Sequence, residues 1–268
     1  MPVWLLYSAF SLFFVLASTA IFFFVVTRGT LLMRGFFGTT PSHSALIYPI
    51  YSNLLLMRLV DFQPIISAIL LFQYDRLVRA ITNELRQMDL QDKDVLITSC
   101  PFGNMIARVA QASLESGARR VLIADLIKNE LAHAQGKLID FPGQIAYLHE
   151  DATAMKQPDG SVAANVLFFL LHELPHTLKS AAIQEATRVL TPGGKLYIAE
   201  FHRPDSRLLR TLSWTYFKVF EPWALALWKT HDPLLALEAM DGLTCQRRTF
   251  FFGNFQIIVA TKNTKPST

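Results

Sequence analysis

The sequence predicts an α/β chain: a mainly parallel sheet covered by helices on both faces, closed at one edge by an antiparallel hairpin and preceded by a transmembrane helix. Three observations carry this. Near-continuous apolar strands alternate with single helices between Val95 and Phe201, the pattern of a parallel sheet buried on both sides. Two β-rich runs, 243–252 and 255–261, flank Gly253-Asn254 and read as a hairpin. From Trp4 to Val26 run 23 uncharged residues, 19 of them apolar, which meets the length of about 20 that a helix needs to cross a bilayer.

The elements follow in order. The Trp4–Val26 run has no Lys or Arg before it and no A-x-A-like site after it, so a retained helix fits better than a cleaved signal peptide. A buried helix of a soluble protein is the alternative. Arg28 and Arg34 follow the run and put the rest of the chain on the cytoplasmic side, at a bacterial inner membrane or, in a eukaryote, an organelle inner membrane. After the polar stretch 38–44, the apolar region 45–71 is broken by Pro49 and Pro64, which favours short helices lying over the membrane face or covering a pocket. Leu77, Val78, Ile81, Leu85 and Met88 recur at helical spacing and predict an amphipathic helix. Strands are expected at 95–99, 120–125, 145–151, 166–171 and 195–201, with helices at 104–116, 128–139 and 178–190. The expected organisation is an anchor over 1–30, a cap region over 31–74 and an α/β domain over 75–268. An aromatic insertion interrupts the last of these at 207–229.

Composition excludes several classes. Apolar residues make up 51% and charged residues only 17%, which excludes disorder and suggests lipid contact. A net charge of +4 without a run of basic residues gives no reason to expect nucleic acid. Cys100 and Cys245 are far apart and outside any C-x-x-C, so neither a disulfide framework nor a zinc site is indicated.

In open parallel sheets ligands sit beyond the carboxyl ends of the strands. The first strand runs into Ser99-Cys100-Pro101-Phe102-Gly103-Asn104, where one glycine lets the backbone approach a ligand and the next helix offers free N–H groups. The second ends at Asp125, 22 residues after Gly103, the spacing at which a carboxylate accepts hydrogen bonds from ribose hydroxyls. The third ends in Glu150-Asp151-Ala152, where a carboxylate can meet an adenine amino group. Strands four and five run into His172-Glu173 and Glu200-Phe201-His202. Two histidines at adjacent strand ends suit acid/base work or metal ligation, and a His/carboxylate set suits a divalent ion such as manganese without specifying one.

These segments together resemble the Rossmann-like class I S-adenosylmethionine-dependent methyltransferases. The resemblance covers about residues 75–262 and rests on VLITSCPFGN, Asp125, EDATAM, LLHELP, the Thr191-Pro192-Gly193-Gly194-Lys195 turn and the terminal hairpin. EATRVLTPGGKLYI is similar to the corresponding segment of quinone-ring methyltransferases. Within the class, LFFLLHELP, FHRP and FEPWALALW are similar to the rhodoquinone-biosynthesis proteins. That narrower resemblance implies S-adenosylmethionine as amino donor, manganese, and exchange of a ring methoxy group of ubiquinone for an amino group. Strand-end position makes Ser99, Cys100, Gly103, Asn104, Asp125, Asp151 and Ala152 the expected cofactor contacts in such a fold, and His172, Glu173 and His202, by position alone, the expected catalytic residues for proton transfer or metal binding.

The departures are specific. Against a D-x-G-x-G-x-G loop the chain has Ile97 at the acidic position and Ser99, Pro101 and Gly103 at the glycines. Pro101 lacks an N–H, which argues against holding the methionine carboxylate in the ordinary way. Ordinary methylation of a lipid-soluble aromatic, or a non-catalytic assembly subunit of a membrane complex, are the competing readings. The insertion at 207–229, rich in Leu, Phe and Trp with basic ends, reads either as a core-covering helix pair or as a lipid-facing lid over a quinone channel.

Overall fold

The computed structural model of the protein describes residues 3–24, 51, 54–99, 102–221 and 223–264. Its sheet has seven strands: β1 (Asp94–Thr98), β2 (Arg120–Asp125), β3 (Ile145–His149), β4 (Val162–Phe168), β5 (Leu190–Phe201), β6 (Leu243–Phe250) and β7 (Phe255–Lys262). They lie in the order β3-β2-β1-β4-β5-β7-β6. Neighbours from β3 to β5 are parallel, and the β6/β7 hairpin adds antiparallel to β5. The helices are α1 (Val3–Phe24), α2 (Leu54–Val60), α3 (Gln63–Ile69), α4 (Tyr74–Leu85), α5 (Met105–Glu115), α6 (Lys128–Lys137), α7 (His176–Arg188), α8 (Arg207–Val219) and α9 (Pro233–Glu238), with a 3-10 turn at Ala224–Trp228.

Strand periodicity explains the apolar runs. Val95 and Ile97 pack with Val121, Ile123 and the buried faces of α4 and α5 on one side of the sheet. Leu96 packs with Leu122 and with Ala182, Ile183 and Ala186 of α7 on the other. Both faces are covered, so every position of β1 is apolar or buried, and each fully buried Leu or Ile stabilises the fold by about 2 kcal/mol. In α4 the predicted stripe of Leu77, Val78, Ile81 and Leu85 is completely buried.

Two strands differ from expectation. β4 starts at Val162 and stops at Phe168, four residues ahead of the predicted run at its start, because Ala164 and Asn165 pair with Val95 and Leu96. Phe169 then adopts a positive φ of 55° and ends the strand. Short side chains hid its first half, since small residues carry little strand signal. β5 begins at Leu190, and the predicted Thr191–Lys195 turn survives as a bulge in it: Leu190 pairs with Val162 and Lys195 with Ala164. A Cβ on Gly194 would lie 2.8 Å from the Thr191 carbonyl oxygen, which is why glycine sits there.

The N-terminal run is a helix, with Trp4, Tyr7, Phe10, Phe13, Phe14 and Leu16 all exposed. Among the described residues, however, no helix is long and apolar enough to cross a membrane. The transmembrane span expected at Trp4–Val26 is thus not found among the described residues, where α1 is an apolar helix with most of its described side chains exposed. Val25, Val26, Arg28, Arg34 and the apolar residues 45–50 lie outside the described residues.

The cap and the insertion take up one task. α2 and α3 lie over the carboxyl ends of the strands, where Val60, Ile66 and Ile69 line a cavity. Pro64 sits in the first turn of α3, where its missing N–H costs nothing. From the other side α8 presents Tyr216 to the same cavity, with Phe220 just beyond its end. Leu212 and Leu208, one and two turns before Tyr216, are exposed.

Candidate active site

The cavity has a volume of about 360 Å³, within the range of small-molecule sites. Asp125, Asp151, Ala152 and Ser99 line one end, and Phe169, His172, Glu173 and Phe201 line the other. Thus six of the ten residues expected at a site share one cavity. Among the described residues six carboxyl groups line it, those of Asp125, Glu130, Glu150, Asp151, Glu173 and Glu221, and no Lys or Arg does.

Asp125 closes β2, is 8% exposed, and accepts the Ile127 N–H at 2.7 Å. That bond turns the chain into α6 and fixes one carboxylate oxygen. One helical turn on, Glu130 is buried against Asp125. Burial, then the Asp125 and Glu173 carboxylates, hold its carboxyl well above the usual carboxylate range. Asp151 accepts from the Thr153 N–H at 2.8 Å and the Thr153 hydroxyl at 2.7 Å, which fixes its turn beside Asp125.

The loop after β1 is organised differently from an open anion site. Ser99 has a positive φ of 87°, and Cys100 lies outside the described residues. The Gly103 N–H donates to the Asp61 carboxylate, the Asn104 N–H to Gln63 Oε1 at 3.2 Å, and the Met105 N–H to the Tyr74 hydroxyl at 2.7 Å. Asp61 in turn pairs with His133 and Lys137, each at 2.6 Å, and Lys137 also donates to the Gly103 carbonyl at 2.9 Å. The N–H groups of Gly103 and Asn104 and the first of α5, that of Met105, are therefore bonded to Asp61, Gln63 and Tyr74. Gly103 and Asn104, expected to touch a cofactor, are instead clamped behind the cavity wall.

At the other end His172 and Glu200 form a buried pair. Glu200, fully buried in β5, accepts the His172 Nδ1–H at 3.1 Å, the His172 backbone N–H at 3.1 Å and the Phe201 N–H at 2.8 Å. Burial alone would lower the imidazole pKa, but the Glu200 carboxylate outweighs it and Glu221 and Glu173 add to the effect, leaving it pushed up to about 9. Glu173 accepts the Tyr51 hydroxyl at 2.5 Å. Burial raises its carboxyl above the usual range even though His172 and Tyr51 pull it down. Lys179 holds the turn between them by donating to the Leu171 and Leu174 carbonyls.

His202 does not join this group. Its Nδ1 bonds the Gly253 carbonyl at 2.7 Å and its Nε2 faces Arg247 at 3.4 Å, because β5 ends at Phe201 and His202, past the strand, is tied by its N–H to the Asn254 carbonyl of the hairpin turn at 2.9 Å. Among the described residues no three His, Cys, Asp or Glu side chains converge to hold a metal ion, so no step is assigned to manganese. Sequence reasoning missed Tyr51, Glu130 and Glu221, and did not give Glu200 its role. For Glu200 a signal existed: a carboxylate inside the apolar run KLYIAEF must be buried and therefore paired.

The profile of the ubiE/COQ5 methyltransferase family matches residues 61–229, from Asp61 of the clamp to the end of the insertion. The chain belongs to this family. It is 31% identical over 124 residues to the ubiquinone/menaquinone biosynthesis C-methyltransferase UbiE of Pseudomonas putida, covering 46% of this chain and 47% of that protein. With the protein of the same name from Teredinibacter turnerae the identity is 32% over 136 residues, 50% of this chain and 53% of that one. The chain thus spans about half the length of the curated relatives it matches. Its fold is that of YcgJ from Bacillus subtilis (TM-score 0.55, 11% identity, 70% of this chain and 99% of that one). An O-methyltransferase family protein from Burkholderia thailandensis shares it (TM-score 0.52, 15% identity, 72% and 57%).

Membership makes S-adenosylmethionine the cofactor, and the cavity fits it in charge. Asp125, Asp151 and Ala152 line the cavity, where a carboxylate could accept ribose hydroxyls, and the acidic wall complements a sulfonium cation. When bound, the cofactor would supply an activated methyl group. The N–H groups of Gly103, Asn104 and Met105 are already bonded to Asp61, Gln63 and Tyr74.

Proposed function

We propose that the protein is a membrane-attached, S-adenosylmethionine-using enzyme acting on the ring of a lipid-soluble quinone. Within that class it exchanges a ring methoxy group of ubiquinone for an amino group, giving rhodoquinone. One observation carries the reading: the three segments by which the chain resembles the rhodoquinone-biosynthesis proteins meet at one cavity. LFFLLHELP contributes Phe169, His172 and Glu173, FHRP contributes Phe201, and FEPWALALW contributes Phe220 and Glu221. Aromatic walls of this kind accept a planar ring, and apolar cap residues beside them suit an isoprenoid tail.

Attachment to the bilayer is supported from two sides. Ala20, near the end of the exposed apolar helix α1, is part of the cavity wall, so a tail leaving the cavity would run along that helix. α8 exposes Leu208, Leu212 and Trp214 together with Arg207 and Lys218, a pattern suited to an anionic headgroup layer. On this reading the α/β domain faces the cytoplasm.

A second reading, ring C-methylation of a quinone precursor, is favoured by the family itself. Supplying cofactor labelled with ¹⁵N in the amino group or with ¹³C in the methyl group separates the two. Amino exchange puts ¹⁵N into the quinone, whereas ¹³C in the quinone without ¹⁵N establishes methylation instead. Quinone profiles of cells with and without the protein give the same answer in vivo.

A further inference from the structure

We infer that His172 donates a hydrogen bond from Nε2 to a ring carbonyl oxygen of the bound quinone, and that Glu200 is the positioning residue that keeps this donor aimed into the cavity. The inference rests on the reading that the cavity takes a quinone, and it selects the oxidised ring over the quinol.

The geometry begins with Glu200. A fully buried carboxylate is stable only when its lone pairs are filled, and here two backbone N–H groups and His172 Nδ1 fill them. An ionised carboxylate only accepts, so Nδ1 must carry a hydrogen and the tautomer is fixed. The imidazole cannot turn away. Phe169 and Phe201 pack against it edge-on, at 6.0 and 5.0 Å between ring centres, and the His172 backbone is tied to the same carboxylate. Nε2 is then the nitrogen left for the cavity that His172 lines.

The charges around the ring decide what Nε2 offers. Glu200, Glu173 and Glu221 all favour imidazolium; burial opposes it. Lys179, the nearby cation, is itself held down to about 8 by burial, and Tyr51 and Tyr216 are neutral because burial raises their hydroxyls. His172 is therefore charged at neutral pH, and its Nε2–H needs an acceptor. A quinone carbonyl is one; a quinol hydroxyl is the poorer acceptor. A carbonyl that accepts this bond draws electrons from the ring and makes a conjugated, methoxy-bearing carbon more open to a nucleophile.

The test uses the full chain in lipid nanodiscs, a short-tailed ubiquinone and its quinol, and the variants Glu200→Gln and His172→Gln. Histidine side-chain ¹⁵N spectra are expected to show wild-type His172 as imidazolium at pH 7.5 and the Glu200→Gln ring as neutral. Quinone affinity is expected to fall about tenfold in both variants, the loss of one charge-assisted hydrogen bond. Quinol and S-adenosylmethionine affinities are expected to change less than about threefold, which also shows that the variants fold. A neutral wild-type His172, or equal loss of quinone and quinol, overturns the donor role. Failure of wild type to bind the quinone while His172 is charged overturns the quinone reading itself.

Discussion

Removing the Asp61 carboxylate should loosen the cap from the cofactor loop, and the structure sets the size of the effect. Asp61 is 7% exposed in its side chain and holds three donors: the Gly103 N–H, His133 and Lys137. Breaking a buried ion pair by deleting one partner costs about 3–5 kcal/mol. Here the cost is at the low end, because His133 and Lys137 are each 16% exposed and Lys137 keeps its bond to the Gly103 carbonyl. Asp61→Ala should therefore lose about 3 kcal/mol, or about 6–12 °C in Tm for a domain of this size. Asp61→Asn, which can still accept from Gly103, should lose about half as much. Urea unfolding followed by circular dichroism gives the free energy, and calorimetry gives Tm. A loss below about 1 kcal/mol for Asp61→Ala would refute the clamp, since it would mean that the three donors find equal partners elsewhere. Because Val60, Ile66 and Ile69 belong to the cap that Asp61 anchors, quinone affinity should fall more than cofactor affinity.

Four other outcomes are expected. Asp125→Ala should weaken S-adenosylmethionine binding about 30-fold by calorimetry, the loss of about 2 kcal/mol of hydrogen bonding to a charged group. Gly103→Ala should destabilise by about 3 kcal/mol in urea, because φ is +86° and the new Cβ would overlap the Tyr74 ring. Between about pH 6.5 and 8 stability should fall as pH rises, since His172 keeps its proton only in the folded state. Above about 8 Lys179 opposes this trend, because folding makes it release a proton early; Glu200→Gln should flatten the fall in thermal melts. Leu208→Asp with Leu212→Asp should reduce flotation with anionic vesicles while leaving turnover of a short-tailed quinone in detergent unchanged.

The sequence by itself determined the strand and helix alternation, the hairpin and the carboxyl-edge positions of Asp125, Asp151, His172 and Glu173. Periodicity and strand-end rules act locally, so they are legible in a linear string. Tertiary structure decided everything that depends on which strand ends face one another. It directed His202 to the hairpin and Glu200 to His172, although the two lie only two residues apart. It filled the α5 N-terminus with Asp61, Gln63 and Tyr74 from a cap whose apolar, proline-broken sequence gave no sign of what it would bind. It brought Tyr51 to Glu173 across 122 positions of chain. Such pairings are set by the cost of burying a charge without a partner, and that cost exists only once the chain has closed around it.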